Sequence, residues 1–427
     1  MMDNPILYNI DKNICINNPK SCVKPTTCTT FHNSYKMYNY TDFNPSEHSE
    51  EDSLYKSVVV DEHTQQIYCF SPPKSVPLQT FFTNKSSNFI LNSDTYLMNE
   101  IVEGIMINLW YDSFLQKWEI STKNSVGGLE YLYDDEKEKE NKKTILDMFL
   151  DAIQGEKTLH EHIQGMKCWK MAYSYHFILQ HPQMIVYPPN TIQPHHPIVG
   201  FVNSPTLYLV AIYHIQTVEG LRPSDQNTVV KYIPSSCFQS WKELEFPWLF
   251  FPKQAVSTEI TYNSLLEYYT SPYSEVHSTG AGVMITDLHT GARTKIVSEV
   301  YKKYRELRGN NAQWLFQYLS LNHIQRVDNF LQYYPCYFNV FAQYQKQYIS
   351  LIRHIHHSYM NKYVRRTKNR SKQFEHDIDY LHNHVFLKYK MLDTYPKFII
   401  TVDVVKEYVL LLSPMYLMYL LDARTML

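Results

Sequence analysis

The sequence predicts an α+β chain, with an antiparallel β body followed by an all-helical C-terminal domain. Three observations predict it. From Lys56 to Val297, short runs rich in β-branched and aromatic residues alternate with turn residues. After Val300, Tyr, Leu and Ile recur at three- and four-residue spacing through to Leu427. Charge changes at the same place: between Arg293 and Lys372, fifteen Lys and Arg face three acids (Glu299, Glu306, Asp328). That is +12 in a chain whose formal net charge is −2, so the rest carries −14.

Taken in order, residues 1–50 are rich in Asn, Thr, Ser and Cys without a clear period, and predict an irregular N-terminal arm. The body, 51–300, opens with the β-runs "KSVVVDEH" and "QQIYCFSP". "NEIVEGIMINLWYD" (Asn99–Asp112) and "QKWEISTKNSVGG" (Gln116–Gly128) then read as a strand, a turn and a return strand. Tyr131–Lys143 is a charged surface loop. "KTILDMFLDAI" has helical spacing, with Ile145, Met148, Phe149 and Ala152 on one face. "YSYHFILQ", "QMIVYPP" and "TLYLVAIYHI" are further strands, separated by the Pro-rich "PPNTIQPHHP". "GAGVMITDLHTGARTKIV" closes the body as a hairpin, and Arg293 and Lys295 share one face of its second strand. The basic helical domain is 301–427.

Composition excludes some classes. The seven cysteines are scattered, with no CxxC and no Cys/His quartet at zinc-finger spacing, and predict reduced thiols in an intracellular protein. "MMDNPILYNIDKN" has no basic and apolar leader pattern, and "VLLLSPMYLMYLL" is too short and Pro-broken to span a bilayer. No membrane is expected as a partner. "TLHEHIQG" places His160 and His162 two apart, which is not a metalloprotease pair, and no metal ligands are assigned.

The segregated positive charge predicts a polyanion partner. Its candidate contacts are Arg305, Arg308, Arg353, Lys362, Arg365, Arg366, Lys368, Arg370 and Lys372, the last five within "RRTKNRSK". Against this stands the plain alternative of a solvated helical surface. Most of the 36 tyrosines are packing residues on either reading.

Four stretches occur in an order that nucleotidyl transfer needs: "EIVEG", "WEISTKNSVGG", "YSYHFILQ" and "GVMITDLHTGARTKIV". That chemistry needs a lysine amine to attack an α-phosphate beside a carboxylate and a glycine. It also needs basic residues to hold phosphate oxygens. From about Tyr55 to Gly309 the ordered set, with "YKKYRELRGNN" after it, resembles the bacteriophage-type ATP-dependent RNA ligases. Within these it is most similar to the ligase-like proteins of large cytoplasmic DNA viruses. The resemblance implies a nucleotidyltransferase body and RNA as partner, with ATP and Mg2+ as cofactors if the chain is active. It also implies work in host cytoplasm or a packaged particle, within a viral protein complex.

Position by position, the resemblance makes Glu103 and Gly104 the acid and glycine of the nucleotidyl-lysine motif. Lys123 becomes the basic residue of the following strand, and Phe177 the aromatic that stacks on the base. Arg293 and Lys295 become the final phosphate-binding pair, and Lys74 a lysine at the mouth of the site.

The departures are equally specific. The lysine's place is Ile101, the central glutamate is missing from "HFILQ" (Ile178 and Gln180 stand nearby), and a later acid-glycine pair is Ala281-Gly282. Ile101 cannot form a phosphoramide, so no catalytic residue is assigned. A lysine from elsewhere could serve, with Lys123, Lys295 and Lys74 as candidates. Three readings stay open: a ligase joining RNA ends through an adenylylated intermediate, an inactive ligase-derived RNA-binding protein, or a structural component of a virion or transcription complex.

Overall fold

The structure is a computed structural model. It describes the chain except residues 1–4, 12–13, 19, 31, 42–48, 50, 84–88, 132–142, 156–157, 167–168, 187–199, 219–226, 255–258, 271–280, 310–312, 368–372, 392–397 and 426–427. Most of the charged stretch after Tyr131 and all of the Pro-rich stretch lie outside the described residues. The chain divides into two units, one built from Met1–Leu132 and Glu136–Lys302, the other chiefly from Lys303–Leu427.

The strands that shape the first unit are, in chain order, β1 (Leu7–Ile10), β2 (Val23–Thr29), β3 (Ser34–Tyr40), β4 (Val58–Asp61), β5 (Ile67–Phe70), β6 (Tyr96–Glu100) and β7 (Ile105–Asp112). They continue with β8 (Lys117–Ser121), β9 (Tyr173–Gln180), β10 (Thr206–Val218), β11 (Asn227–Ile233), β12 (Gly282–Asp287) and β13 (Arg293–Val297). The central sheet runs β1-β11-β10-β9-β7-β8, a second runs β2-β3-β4-β5, and a third runs β13-β12-β6. These pairings are antiparallel.

Side-chain alternation along β9 sets the layers. Tyr175, Phe177 and Leu179 join Ile107, Leu109, Ile120 and Leu209 in a core against α1 (Ile145–Ala152) and α2 (Leu159–Gly165). Ser174 and His176 point the other way, between the central sheet and the second sheet. There Ala211 and Tyr213 pack with Val58, Val60, Ile67 and Phe70. Helix α1 buries Ile145, Met148, Phe149 and Ala152, as the spacing predicts. A capping box starts it: Thr144 Oγ1 accepts from the Asp147 amide at 3.1 Å, and the Asp147 carboxylate accepts from the Thr144 amide at 2.9 Å.

The described part of residues 1–50 is not an irregular arm. β1 extends the central sheet beside β11, and β2 and β3 build half of the second sheet. Tyr35 and Met37 are fully buried, on the inward-facing positions of β3. The Asn- and Thr-rich composition hid this, because β2 exposes Lys24, Thr26 and Thr27, while β3 buries Tyr35 and Met37 on one face and Tyr38 on the other.

In the second unit α3 (Trp314–His323), α4 (Phe338–Tyr359), α5 (Val402–Leu411) and α6 (Pro414–Thr425) pack together. The face of α4 carrying Phe341, Tyr348, Leu351, Ile352, Ile355 and Tyr359 is buried. The carboxylate of Asp377, fully buried, accepts hydrogen bonds from Tyr408 Oη at 2.8 Å and Tyr416 Oη at 3.2 Å. Among the described residues no helix is long and apolar enough to cross a membrane.

Candidate functional site

Four chain segments converge near the end of β3. The Tyr40 amide donates to Tyr55 O (2.8 Å), which places Tyr40 beside Lys56. The Lys74 amide donates to Ser53 O (2.9 Å), and Ser57 Oγ donates to Thr122 O (3.3 Å), bringing the loop with Lys123 to the same place. β13 then clamps the Lys74 segment: the Val76 amide donates to Arg293 O (2.7 Å), Thr294 Oγ1 to Val76 O (2.9 Å) and an Arg293 guanidinium N–H to Pro73 O (3.3 Å).

The result is a cationic pocket of about 560 Å³ lined by Lys24, Thr26, Asn39, Tyr40, Thr41, Lys74, Lys123 and Asn124. Lys74 Nζ lies 4.8 Å and Lys123 Nζ 5.2 Å from the Tyr40 ring centroid. Half-buried Lys56 adjoins this wall. Burial first, and then the charges of Arg293, Lys123, Lys295 and Lys74, bring its amine down from 10.5 to about 8. Four cations therefore act on Lys56 here.

Neutral polar groups pack behind them. His176, fully buried, presents Nδ1 to Asn108 Oδ1 at 2.8 Å and Nε2 to Ser174 Oγ at 3.1 Å. Burial, with Arg293 and Lys56 nearby, lowers its pKa to about 3, so the ring is neutral near pH 7. Asn108 Nδ2 continues the chain to Ser121 Oγ at 3.2 Å.

The turn that presents β13 is fixed from below. Tyr8 Oη donates to Gly291 O at 3.1 Å, and Gly291 has φ +75°. A Cβ there would stand 2.0 Å from Tyr8 Oη, so only glycine fits.

The structure thus brings together Lys74, Lys123, Arg293 and Lys295 from widely separated parts of the sequence. It adds Lys56, Tyr40 and Lys24, which sequence reasoning missed. Glu103 and Gly104 do not close a strand but lie in the break between β6 and β7. The Glu103 carbonyl accepts from Gln180 Nε2 at 2.8 Å. Gly104, at φ +153°, passes so near β9 that a Cβ would sit 2.4 Å from Leu179 O. The Ile101 amide donates to Gly282 O at 2.9 Å, so Ile101 lies beside the Ala281-Gly282 pair.

Phe177 is corrected. It is 1 % exposed and packs edge-on against Phe149 and Trp169, on the face of β9 opposite His176. Removing such a ring from a core costs about 3–5 kcal/mol, against the roughly 1–3 kcal/mol that base stacking returns. It does not serve as a base platform.

In the second unit, Arg353, Arg365 and Arg366 are exposed, as is Arg305, on the helix Glu299–Arg308. Arg308 lies 5.6 Å from the Trp314 ring. Lys362 is corrected as an available phosphate contact: it is ion-paired with Asp379 and, at 3.5 Å, with Glu375. Lys368, Arg370 and Lys372 lie outside the described residues.

The pocket suits phosphate groups and does not suit a metal. Among the described residues no three His, Cys, Asp or Glu side chains group so as to hold an ion, and no carboxylate lines the pocket.

No family model matches the chain, and no curated protein matches it. Solved structures similar to it include an archaeal ATP-dependent RNA ligase in two forms. The first has 9% identity and TM-score 0.35, covering 78% of this chain and 69% of that one. The second has 7% identity and TM-score 0.37, covering 72% and 64%. A mutant RNA ligase of Naegleria gruberi with AMP and Mn has 12% identity and TM-score 0.31, covering 70% of this chain and 84% of that one. These likenesses are remote.

Proposed function

We propose that the chain is an RNA-ligase-like protein whose first unit binds the phosphates of a nucleotide or RNA end without joining ends through the Ile101 position. The observation that carries this is a pocket lined by Lys24, Lys74 and Lys123, beside a Lys56 that feels the charges of Arg293, Lys123, Lys295 and Lys74. Phosphate is the biological anion that rewards several cations at once. The exposed arginines of the helical unit add contacts along an RNA backbone. The sequence resemblance to the ligase-like proteins of large cytoplasmic DNA viruses, that of African swine fever virus among them, supports a viral reading. The proposed place of work is therefore host cytoplasm or the virion, within a viral complex.

Fluorescence anisotropy with matched oligoribonucleotides tests the reading. A 5′-phosphorylated strand should bind several-fold more tightly than its 5′-hydroxyl twin, and Lys74→Ala with Lys123→Ala should erase the difference. Equal affinity for both strands in the wild type would overturn it.

A second reading has its own support in Lys56. Its amine, brought to about 8, is partly neutral at physiological pH. With ATP as co-reactant it would attack the α-phosphorus: an N–P bond forms, the P–O bond to pyrophosphate breaks, and the amine's proton leaves to solvent. A covalent, acid-labile AMP label that vanishes in Lys56→Arg would establish this reading; an unlabelled wild type would dismiss it.

A further inference from the structure

The ligase resemblance implies Mg2+ alongside ATP, yet the side chains that line the phosphate site are lysines and neutral groups, and the Glu130 carboxylate behind the Lys123 loop is engaged by Thr122 and Ser125. Lys56 already loses proton affinity, first to burial and then to its four cationic neighbours. A divalent ion entering the same space meets the same repulsion, with no carboxylate in the lining to offset it. Ligand charge can be judged as well. An internal phosphodiester brings a single negative charge, and a phosphomonoester about −1.5 to −2. Five cations are matched better by a chain of phosphates, and a pocket of about 560 Å³ is large enough to hold one.

Given that the pocket is a phosphate site, on which this inference rests, we propose that it binds an oligophosphate as the metal-free anion. The carrier is a nucleoside triphosphate or a triphosphorylated RNA end. Lys56, Lys74, Lys123, Arg293 and Lys295 supply the charge that a divalent ion would otherwise bring. Magnesium in solution then competes, because it occupies the phosphate oxygens that the side chains need.

The test is titration calorimetry of the full chain, in EDTA and in millimolar Mg2+. The probes are inorganic tripolyphosphate, ATP, and a short oligoribonucleotide with a 5′-triphosphate, a 5′-monophosphate or a 5′-hydroxyl. The expected result is binding of tripolyphosphate in EDTA, weakened about tenfold by Mg2+. Lys295→Ala, at an exposed position on β13 that leaves the core intact, should weaken it several-fold. Comparison of ATP with the triphosphorylated strand says which carrier the site prefers. Binding that requires Mg2+ overturns the inference and leaves the phosphate site standing. A monophosphorylated strand that binds as tightly as the triphosphorylated one overturns the oligophosphate class. No phosphate compound bound with or without Mg2+ overturns both the inference and the site.

Discussion

Phosphate affinity should fall steeply above neutral pH, and Lys56 sets the slope. In the free protein its amine titrates at about 8 instead of 10.5, because burial and four neighbouring cations oppose the charge. A bound polyanion offsets those neighbours and returns the amine toward its ordinary value. Binding therefore takes up a proton wherever free Lys56 is deprotonated, and affinity is full below about 8 and declines above it. If the bound amine recovers fully, linkage gives roughly a tenfold loss of affinity between pH 7 and pH 9, about 1.4 kcal/mol. The assay is tripolyphosphate titration across that range in buffers of different ionisation enthalpy, which reports the proton directly. Lys56→Arg keeps its charge at every pH used and should flatten the profile. A flat wild-type profile, or an Arg variant with an unchanged slope, refutes the reasoning.

The same geometry fixes three other outcomes. Lys56→Met should raise stability at pH 7 by about 1–3 kcal/mol in urea unfolding while weakening phosphate binding, since a crowded cation costs free energy until a ligand arrives; a destabilised variant would mean that the crowding is not felt. His176 titrates at about 3 when folded and 6.5 when free, so the unfolded chain binds the extra proton between these values. Its contribution is complete above 6.5 and drains at up to about 1.4 kcal/mol per pH unit as pH falls toward 3; urea midpoints at pH 7 and pH 5 check this, and equal midpoints would count against it. Gly291→Ala should cost about 1–3 kcal/mol and loosen phosphate binding, because the turn before β13 and Tyr8 cannot both stay in place; an unchanged melting temperature would contradict that placement.

What was legible in the sequence was local. The Ile145–Ala152 helix has a 3.6-residue stripe and a Thr-x-x-Asp start, and the β7–β8 hairpin has its turn residues between two β-rich runs. β9 was legible as a strand but not in its orientation. "YSYHFILQ" is buried on both faces, so no polar alternation told that His176 looks toward the cations while Phe177 looks into the core. Strand β3 was missed for the opposite reason: a polar, Asn-rich surround masked the inward Tyr35 and Met37. Lys56 stands one residue ahead of "SVVVD" and carries no motif. Its character comes first from burial and then from Lys74, Lys123, Arg293 and Lys295, up to 239 positions away in the chain, and only the fold supplies both.

The most direct test of the cationic site is competitive amine labelling with an amine-reactive sulfonate read by mass spectrometry, at pH 8 with and without tripolyphosphate. Only unprotonated amines react, and the account predicts that Lys56 is labelled fastest. Tripolyphosphate should then protect Lys56, Lys74 and Lys123 together, while Lys362, paired with Asp379 in the other unit, is unaffected. Lys56 labelled no faster than exposed lysines, or protection spread evenly over all of them, would contradict the account.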